Sequence, residues 1–201
     1  MSGSFVHRAL TAVLSLVLLA LIMGAHSLIL SDSDQTEPIA SSGDIGSTID
    51  ADRYTIKVEK VQITQSIADG DDSGIQASFE TEEIWVIVWA TVTSTSDTLR
   101  NVQADLDTGD GYTYSMSKLP LNAFGGTGAV FDPGIPVYGA VAFEVPKERL
   151  TDPTFRIRLG KGGQDRLSAQ ANVDLGLYGA ELADMVDQAE ETVTITPAER
   201  R

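Results

Sequence analysis

The chain has 201 residues, with 14 Lys and Arg against 29 Asp and Glu, a net charge of −15, no cysteine and two histidines. Zero cysteine excludes disulfides, thiolate zinc sites, iron–sulfur clusters, cysteine nucleophiles and a lipid-modified N-terminal cysteine. The net charge argues against binding a phosphate backbone, so no nucleic-acid partner is expected, while 42% hydrophobic residues is too apolar for a disordered acidic chain.

Residues 9–30 read ALTAVLSLVLLALIMGAHSLIL and carry no formal charge. At 1.5 Å rise per residue, a helix of this length would cross a ~30 Å hydrocarbon core. Arg8 precedes the run, and Asp32, Asp34 and Glu37 follow it. Positive flanks stay cytoplasmic, which predicts a single-pass membrane protein with a cytoplasmic N-terminus and an extracytoplasmic domain. The competing reading of residues 1–30 is a cleaved signal peptide. Ala25-His26-Ser27 loosely fits a cleavage site, but the apolar run continues past it and exceeds the ~7–15 residues usual for a signal core. Arg8 is the single charged residue before position 31, so 13 bases and 29 acids remain downstream and the imbalance belongs to the exported part.

Residues 31–52 are dominated by Ser, Asp, Gly, Thr and Pro with isolated apolar residues, and read as a flexible, self-repelling linker.

From 53 to 175 period-two alternation recurs and long helical periodicity does not. Tyr54, Ile56 and Val58 share a face; the phase slips at Glu59-Lys60, predicting a β-bulge, and resumes at Val61 and Ile63. Ile84–Thr93 starts apolar on both faces and then alternates, as a central strand does. Leu99–Leu106 and Tyr112–Met116 are further strands. Val137 to Val145 follows, then a strand with Phe155, Ile157 and Leu159 inward and Arg156 and Arg158 outward. Leu167, Ala169, Ala171, Val173 and Leu175 give the last. Turn signals at Asp69-Gly70, Asp110-Gly111, Gly125-Gly126, Pro133-Gly134 and Gly162-Gly163 separate the runs. About seven short strands predict a mainly β fold, an antiparallel immunoglobulin-like β-sandwich behind one N-terminal transmembrane helix. Trp85 or Trp89 is the expected central plug of its core.

EIWVIVWATVTSTSDTLRNV and DPGIPVYGAVAFEVPKE resemble two signature stretches of a bacterial immunoglobulin-like domain of unknown function, with RYTIKVEKVQI matching its first strand and LSAQANVDLG its last. The resemblance covers roughly 53–175. It is similar in fold to secreted immunoprotective proteins of Gram-positive bacteria, whose relatives are exported as lipoproteins or behind one anchor. Ser94 stands where the family usually has Asn, and the lipobox cysteine is missing. The family shares no catalytic residues, so the resemblance implies no active site.

Both histidines, His7 and His26, lie in or beside the anchor. The exported domain therefore has neither His nor Cys, which excludes a Ser–His–Asp triad and a His-ligated zinc or copper site. Asp107-Thr108-Gly109 matches the aspartic-protease tripeptide, but its neighbours do not, and it reads as an acidic hairpin turn. Asp105, Asp107 and Asp110 are candidate ligands for a weak calcium site, although their loop lacks EF-hand spacing, and a looser site could instead use Asp69, Asp71 and Asp72. Gly125-Gly126-Thr127-Gly128 lacks the Lys-Ser/Thr end of a phosphate loop.

Residues 176–201 form an acidic tail with a short helix. Leu182, Met185, Val186 and Ala189 make one apolar stripe that docks on the sandwich or on a partner, and 192–196 alternates as a strand that could join a sheet edge. No enzyme and no cofactor other than a weakly held calcium ion is expected. The expected role is a non-enzymatic binding or scaffold module, anchored by residues 9–30 and accessory to an envelope complex. A cation- or small-ligand-binding receptor using the acidic loops is the alternative.

Overall fold

The computed structural model describes residues 39–71, 74–126, 128–160 and 169–201, and near the N-terminus 7, 10, 13–19 and 23. Two units are distinguished, Met1–Glu37 and Pro38–Arg201. In the first, residues 13–19 are helical and expose apolar side chains such as Leu14, Leu16 and Leu19. Among the described residues no helix is long and apolar enough to cross a membrane; most of the stretch 9–30 lies outside them, as do 31–38 of the expected linker.

The second unit is a β-sandwich with these strands: β1 (Ile39–Asp44), β2 (Thr48–Asp50), β3 (Tyr54–Asp71), β4 (Gly74–Ser94), β5 (Asn101–Asp107), β6 (Thr113–Ser115), β7 (Val137–Val145), β8 (Thr154–Gly160), β9 (Ala169–Asp174), β10 (Glu190–Ile195) and β11 (Glu199–Arg200). An α-helix, α1, spans Gly179–Asp187, and a 3-10 turn spans Lys147–Arg149. A five-stranded sheet runs β1-β9-β8-β5-β6, and a six-stranded sheet runs β10-β3-β4-β7-β11 with β2 also paired to β3. All pairings are antiparallel except β1 with β9 and β10 with β3.

The seven strands expected from alternation are β3 to β9, and the register slips between Val58 and Lys60, where the phase break predicts a bulge. Inward residues of both sheets make the main core: Tyr54, Ile56, Val86, Val88, Phe143, Phe155 and Ile157 are all buried. Phe143 and Phe155 meet edge to face across the two sheets, with ring centroids 6.0 Å apart.

Two expectations are corrected. The spacer 31–52 ends earlier, because Ile39–Asp44 and Thr48–Asp50 are strands. β1 shows no alternation, since it is an edge strand held by its parallel backbone pairing to β9, and Ile49 of β2 supplies the buried anchor. The tryptophans do not plug the main core. β4 is covered on both faces, so Val86, Val88 and Ala90 point between the sheets while Trp85, Ile87 and Trp89 point to the outer face of the six-stranded sheet.

That outer face has its own small core because the β3–β4 hairpin is longer than its alternation suggests. The Asp69-Gly70 pair, a turn signal in the sequence, lies inside β3. Between the register pairs Thr64–Trp85 and Ser66–Glu80, Gln65 of β3 faces Thr81 to Ile84 of β4. Such an excess on one strand bends the ribbon. The arm beyond the bend brings Ile67 and Phe79 together with Trp85, Ile87 and Trp89, joined by Val193 and Ile195 of β10.

The loop 118–123 closes this second core. Ser117 N–H donates to Ala142 C=O and Phe124 N–H to Ala140 C=O, so the chain leaves the β7 edge and rejoins it. Between those points it meets the bent arm. The buried Asp69 carboxylate accepts the backbone N–H groups of Leu121 (2.7 Å) and Asn122 (3.1 Å), and Asn122 Nδ2 donates to the carbonyls of Gly70 and Ile195.

Candidate interaction surface

The three carboxylates singled out as cation ligands are each held by an arginine. Asp105 and Asp107 lie on the outer face of β5, opposite Arg156 and Arg158 of β8. The ion pairs run diagonally, Arg158 to Asp105 at 2.9 Å and Arg156 to Asp107 at 2.5 Å. Asp105 also accepts the Ser115 hydroxyl, and Asp107 accepts the N–H of Gly109. Asp110 sits in the β5–β6 turn, where it accepts the Thr108 hydroxyl and pairs with Arg149 at 3.2 Å. The Thr108 hydrogen bond, followed by Arg149, holds the Asp110 carboxyl below its ordinary range. The tripeptide Asp107-Thr108-Gly109 is therefore the start of an acidic turn closed by its own hydrogen bonds, and Arg149 stacks on Tyr112 beside it.

Alternation at period two puts Asp105 and Asp107 on one face of β5 and arginines on the adjacent strand in the same phase. Among the described residues no group of three or more His, Cys, Asp or Glu is placed to hold a metal ion. Of the second acidic group, Asp69 is engaged by the loop amides and Asp72 lies outside the described residues.

The apolar stripe of α1 is turned onto its own domain. Leu182 is buried in the main core, and Met185, Val186 and Ala189 pack against it. Leu182 is thereby enclosed, while Met185, Val186 and Ala189 stay half-buried along the flanks of the helix. The helix leaves a groove on each side. One lies against Val61, Gln62 and Ile63 and is rimmed by Glu181, Asp184 and Glu190. The other lies against Leu150 and Thr151. Beyond α1, β10 adds to β3 in parallel, as the alternation over 192–196 allowed.

A second assembly, not anticipated from the sequence, covers the outer face of the six-stranded sheet near its β7 edge. Trp89 of β4 and Tyr138 of β7 stack, with ring centroids 5.5 Å apart and 19° between planes. Lys60, placed by the bulge, lies 4.9 Å from the Trp89 ring, and the Arg201 guanidinium lies 3.7 Å from the Tyr138 ring. Trp89 Nε1 donates to Gln62, whose amide donates to Glu190. Glu59, the residue at the bulge, accepts the Thr91 hydroxyl and pairs with Arg201 at 3.2 Å. The hydrogen bond from Thr91, then the attraction of Arg201, holds the Glu59 carboxyl below its ordinary range. Burial pushes the Tyr138 phenol up, with Glu59 acting in the same direction.

Arg200 and Arg201 reach this place through β11. Glu199 and Arg200 pair antiparallel with Tyr138 and Val137, Arg201 N–H donates to Pro136 C=O, and Arg200 pairs with Asp132 at 2.9 Å. Two signals were present in the sequence, a basic tip on an acidic body and an aromatic in phase on each of two strands. Nothing in either pattern says that they meet.

No protein-family model and no curated protein matches the chain. Solved structures similar to the chain include these two. One is an uncharacterized β-sandwich protein from Clostridium difficile 630, at 14% identity over 69% of this chain and 95% of that one, with a TM-score of 0.46. The other is the YjhA protein from Bacillus subtilis, at 19% identity over 66% of this chain and 98% of that one, with a TM-score of 0.48.

Proposed function

We propose that the chain is a non-enzymatic binding or scaffold module, an immunoglobulin-like β-sandwich anchored by residues 9–30 and displayed outside the cytoplasmic membrane as an accessory of an envelope complex. The observation that carries this reading is the form of the sheet ends. Among the described residues β1 and β10 each have one hydrogen-bonded neighbour and close their sheets as short, added, mostly exposed strands. Such edges receive extended segments of other chains by backbone pairing. The domain's composition agrees: without His or Cys, its chemistry is that of carboxylates, hydroxyls and amides, and the Asp side chains most suggestive of a site are held by arginines. A cation receptor built on Asp105, Asp107 and Asp110 has no comparable support.

Site-specific photo-crosslinking in intact cells tests the proposal. A crosslinker at exposed Ala40, Ser42, Thr192 or Thr194 is expected to capture a membrane or envelope protein, whereas one at exposed Gln103 on the polar outer face of β5 is expected to capture none. Equal capture from all five positions, or none from the edges, would overturn the binding assignment. Protease added outside the cell is expected to digest residues 53–201; full protection in intact cells would overturn the extracytoplasmic placement.

A further inference from the structure

The β7 edge and the ring stack beside it form a set of contacts suited to one kind of ligand. The β7 edge offers backbone pairing at Pro136 to Tyr138, where the chain's own β11 adds to it. Two carboxylates flank it, Asp132 and Glu59, and Tyr138 presents a ring face between them, itself backed by Trp89. A planar guanidinium satisfies the ring and the carboxylate together, by stacking and by its fork of N–H donors, which an ammonium cannot do equally. The chain's own occupant is slight. β11 contributes Glu199 and Arg200 to the ladder, and residues 196–201 are all exposed. Pro197 lacks a backbone donor, which limits further zipping of the tail along an edge.

We infer that this edge is a binding site for an extended peptide segment carrying two adjacent arginines, and that Glu199–Arg201 fills it as an intramolecular stand-in for that segment. Recognition follows from the geometry. The backbone of the incoming segment adds antiparallel to β7. Its first arginine pairs with Asp132, and its second stacks on Tyr138 and pairs with Glu59. A tethered tail competes at an effective concentration in the millimolar range for short linkers, so a partner must displace it. The site is thereby closed to weak ligands and open to a segment with the full arginine pair. Removing the tail's arginines relieves that competition, and the apparent affinity for a free peptide rises by the fraction of sites vacated. The inference rests on reading the domain as a binding module. It is tested on purified full-length protein, so its outcome is independent of whether crosslinking finds an envelope partner.

The probe is a labelled peptide with the sequence of residues 196–201, followed by fluorescence anisotropy and by change in Trp89 emission. In the Arg200→Ala/Arg201→Ala protein the peptide is expected to bind at least tenfold more tightly than in the wild type. A peptide with both arginines replaced by lysine is expected to bind the vacated protein at least fivefold more weakly, a comparison that needs no further change to the fold. Adding Glu59→Gln to the vacated protein is expected to weaken the arginine peptide by a similar factor. Equal affinity for wild-type and vacated protein, indifference to lysine, or no binding to the vacated protein at millimolar peptide would each overturn the inference.

Discussion

The Tyr54 hydroxyl and the Ala171 backbone N–H meet across the sandwich at 3.1 Å, although the two residues belong to different sheets. The same hydroxyl donates to Ile157 C=O at 2.6 Å, and Ile157 and Ala171 are register partners in the β8–β9 pair. One phenol thus ties β3 to two adjacent strands of the opposite sheet, β8 and β9. Its ring is fully buried, and burial keeps the hydroxyl protonated well above the ordinary range for tyrosine.

Tyr54→Phe keeps the ring and removes the oxygen. A buried carbonyl and a buried N–H then lose their shared partner, and each such group costs about 1–3 kcal/mol when left unpaired. The expected loss in unfolding free energy is therefore ~2–4 kcal/mol by urea denaturation, with no change in secondary structure by circular dichroism. A loss below ~0.5 kcal/mol would show that the linkage between the sheets is energetically idle.

Asp69 plays the corresponding part in the second core. Its two oxygens each receive one backbone N–H from the loop, so Asp69→Asn keeps one acceptor and turns the other toward an amide hydrogen as a donor. The loop should loosen while the main core holds. Hydrogen exchange at Leu121 and Asn122 is expected to accelerate about tenfold or more, matching the ~1–3 kcal/mol cost of an unsatisfied buried group. Exchange in Tyr54–Val58 should stay unchanged; acceleration spread evenly over both regions would contradict a local role.

How far the sequence discloses this architecture depends on which interactions a strand reports. Alternation reports which face is buried, so β3 to β9 were legible, and so was the bulge beside Glu59, because an extra residue shifts the phase of everything after it. It does not report which of two buried faces is the inner one. Trp85 and Trp89 therefore looked like core plugs, although they cap the outer face. Edge strands such as β1 are held by backbone bonds that any side chain permits, so Ser41-Ser42-Gly43 looked like spacer. The stripe of α1 predicted a docked helix but not its dock, which Leu182 shows to be the chain's own core. Carboxylates on one strand say nothing of the arginines on the next, and for that reason Asp105 and Asp107 looked available.

Gly139 illustrates a constraint of the opposite kind, space rather than polarity. A Cβ at Gly139 would stand 2.4 Å from Cε1 of Phe124, whose ring is buried and packed edge to face on Phe131. The ring has nowhere to move, so Gly139→Ala should destabilise by about 1–3 kcal/mol through overpacking. Combining it with Phe124→Leu, which removes the colliding ring edge, should make the alanine less costly than in the wild type. A double-mutant cycle checks this. Additive effects of the two substitutions would show that the strain lies elsewhere.

Glu59 gives the expected dependence on pH. Its folded carboxyl is held below the ordinary range, first by the Thr91 hydroxyl and then by Arg201. A carboxylate whose pKa is depressed by folding adds stability that is fully present above its unfolded value. That stability is lost as pH falls through the folded value. The ion pair is partly exposed on both sides, so its contribution is screened and belongs in the ~0–1 kcal/mol range. The wild type should therefore melt above Glu59→Gln by at most about 3 °C at neutral pH. The difference should hold down to about pH 5 and close below about pH 4, as the unfolded and then the folded carboxylate take up a proton. Glutamine keeps an acceptor for Thr91, so the closing difference reports the charge and its partner Arg201 rather than the hydrogen bond alone. Raising the salt to 1 M at neutral pH should shrink the difference in the same way, since the Debye length falls to about 3 Å. A melting difference that persists unchanged to pH 3 would show that Glu59 acts through packing at the bulge and not through its charge.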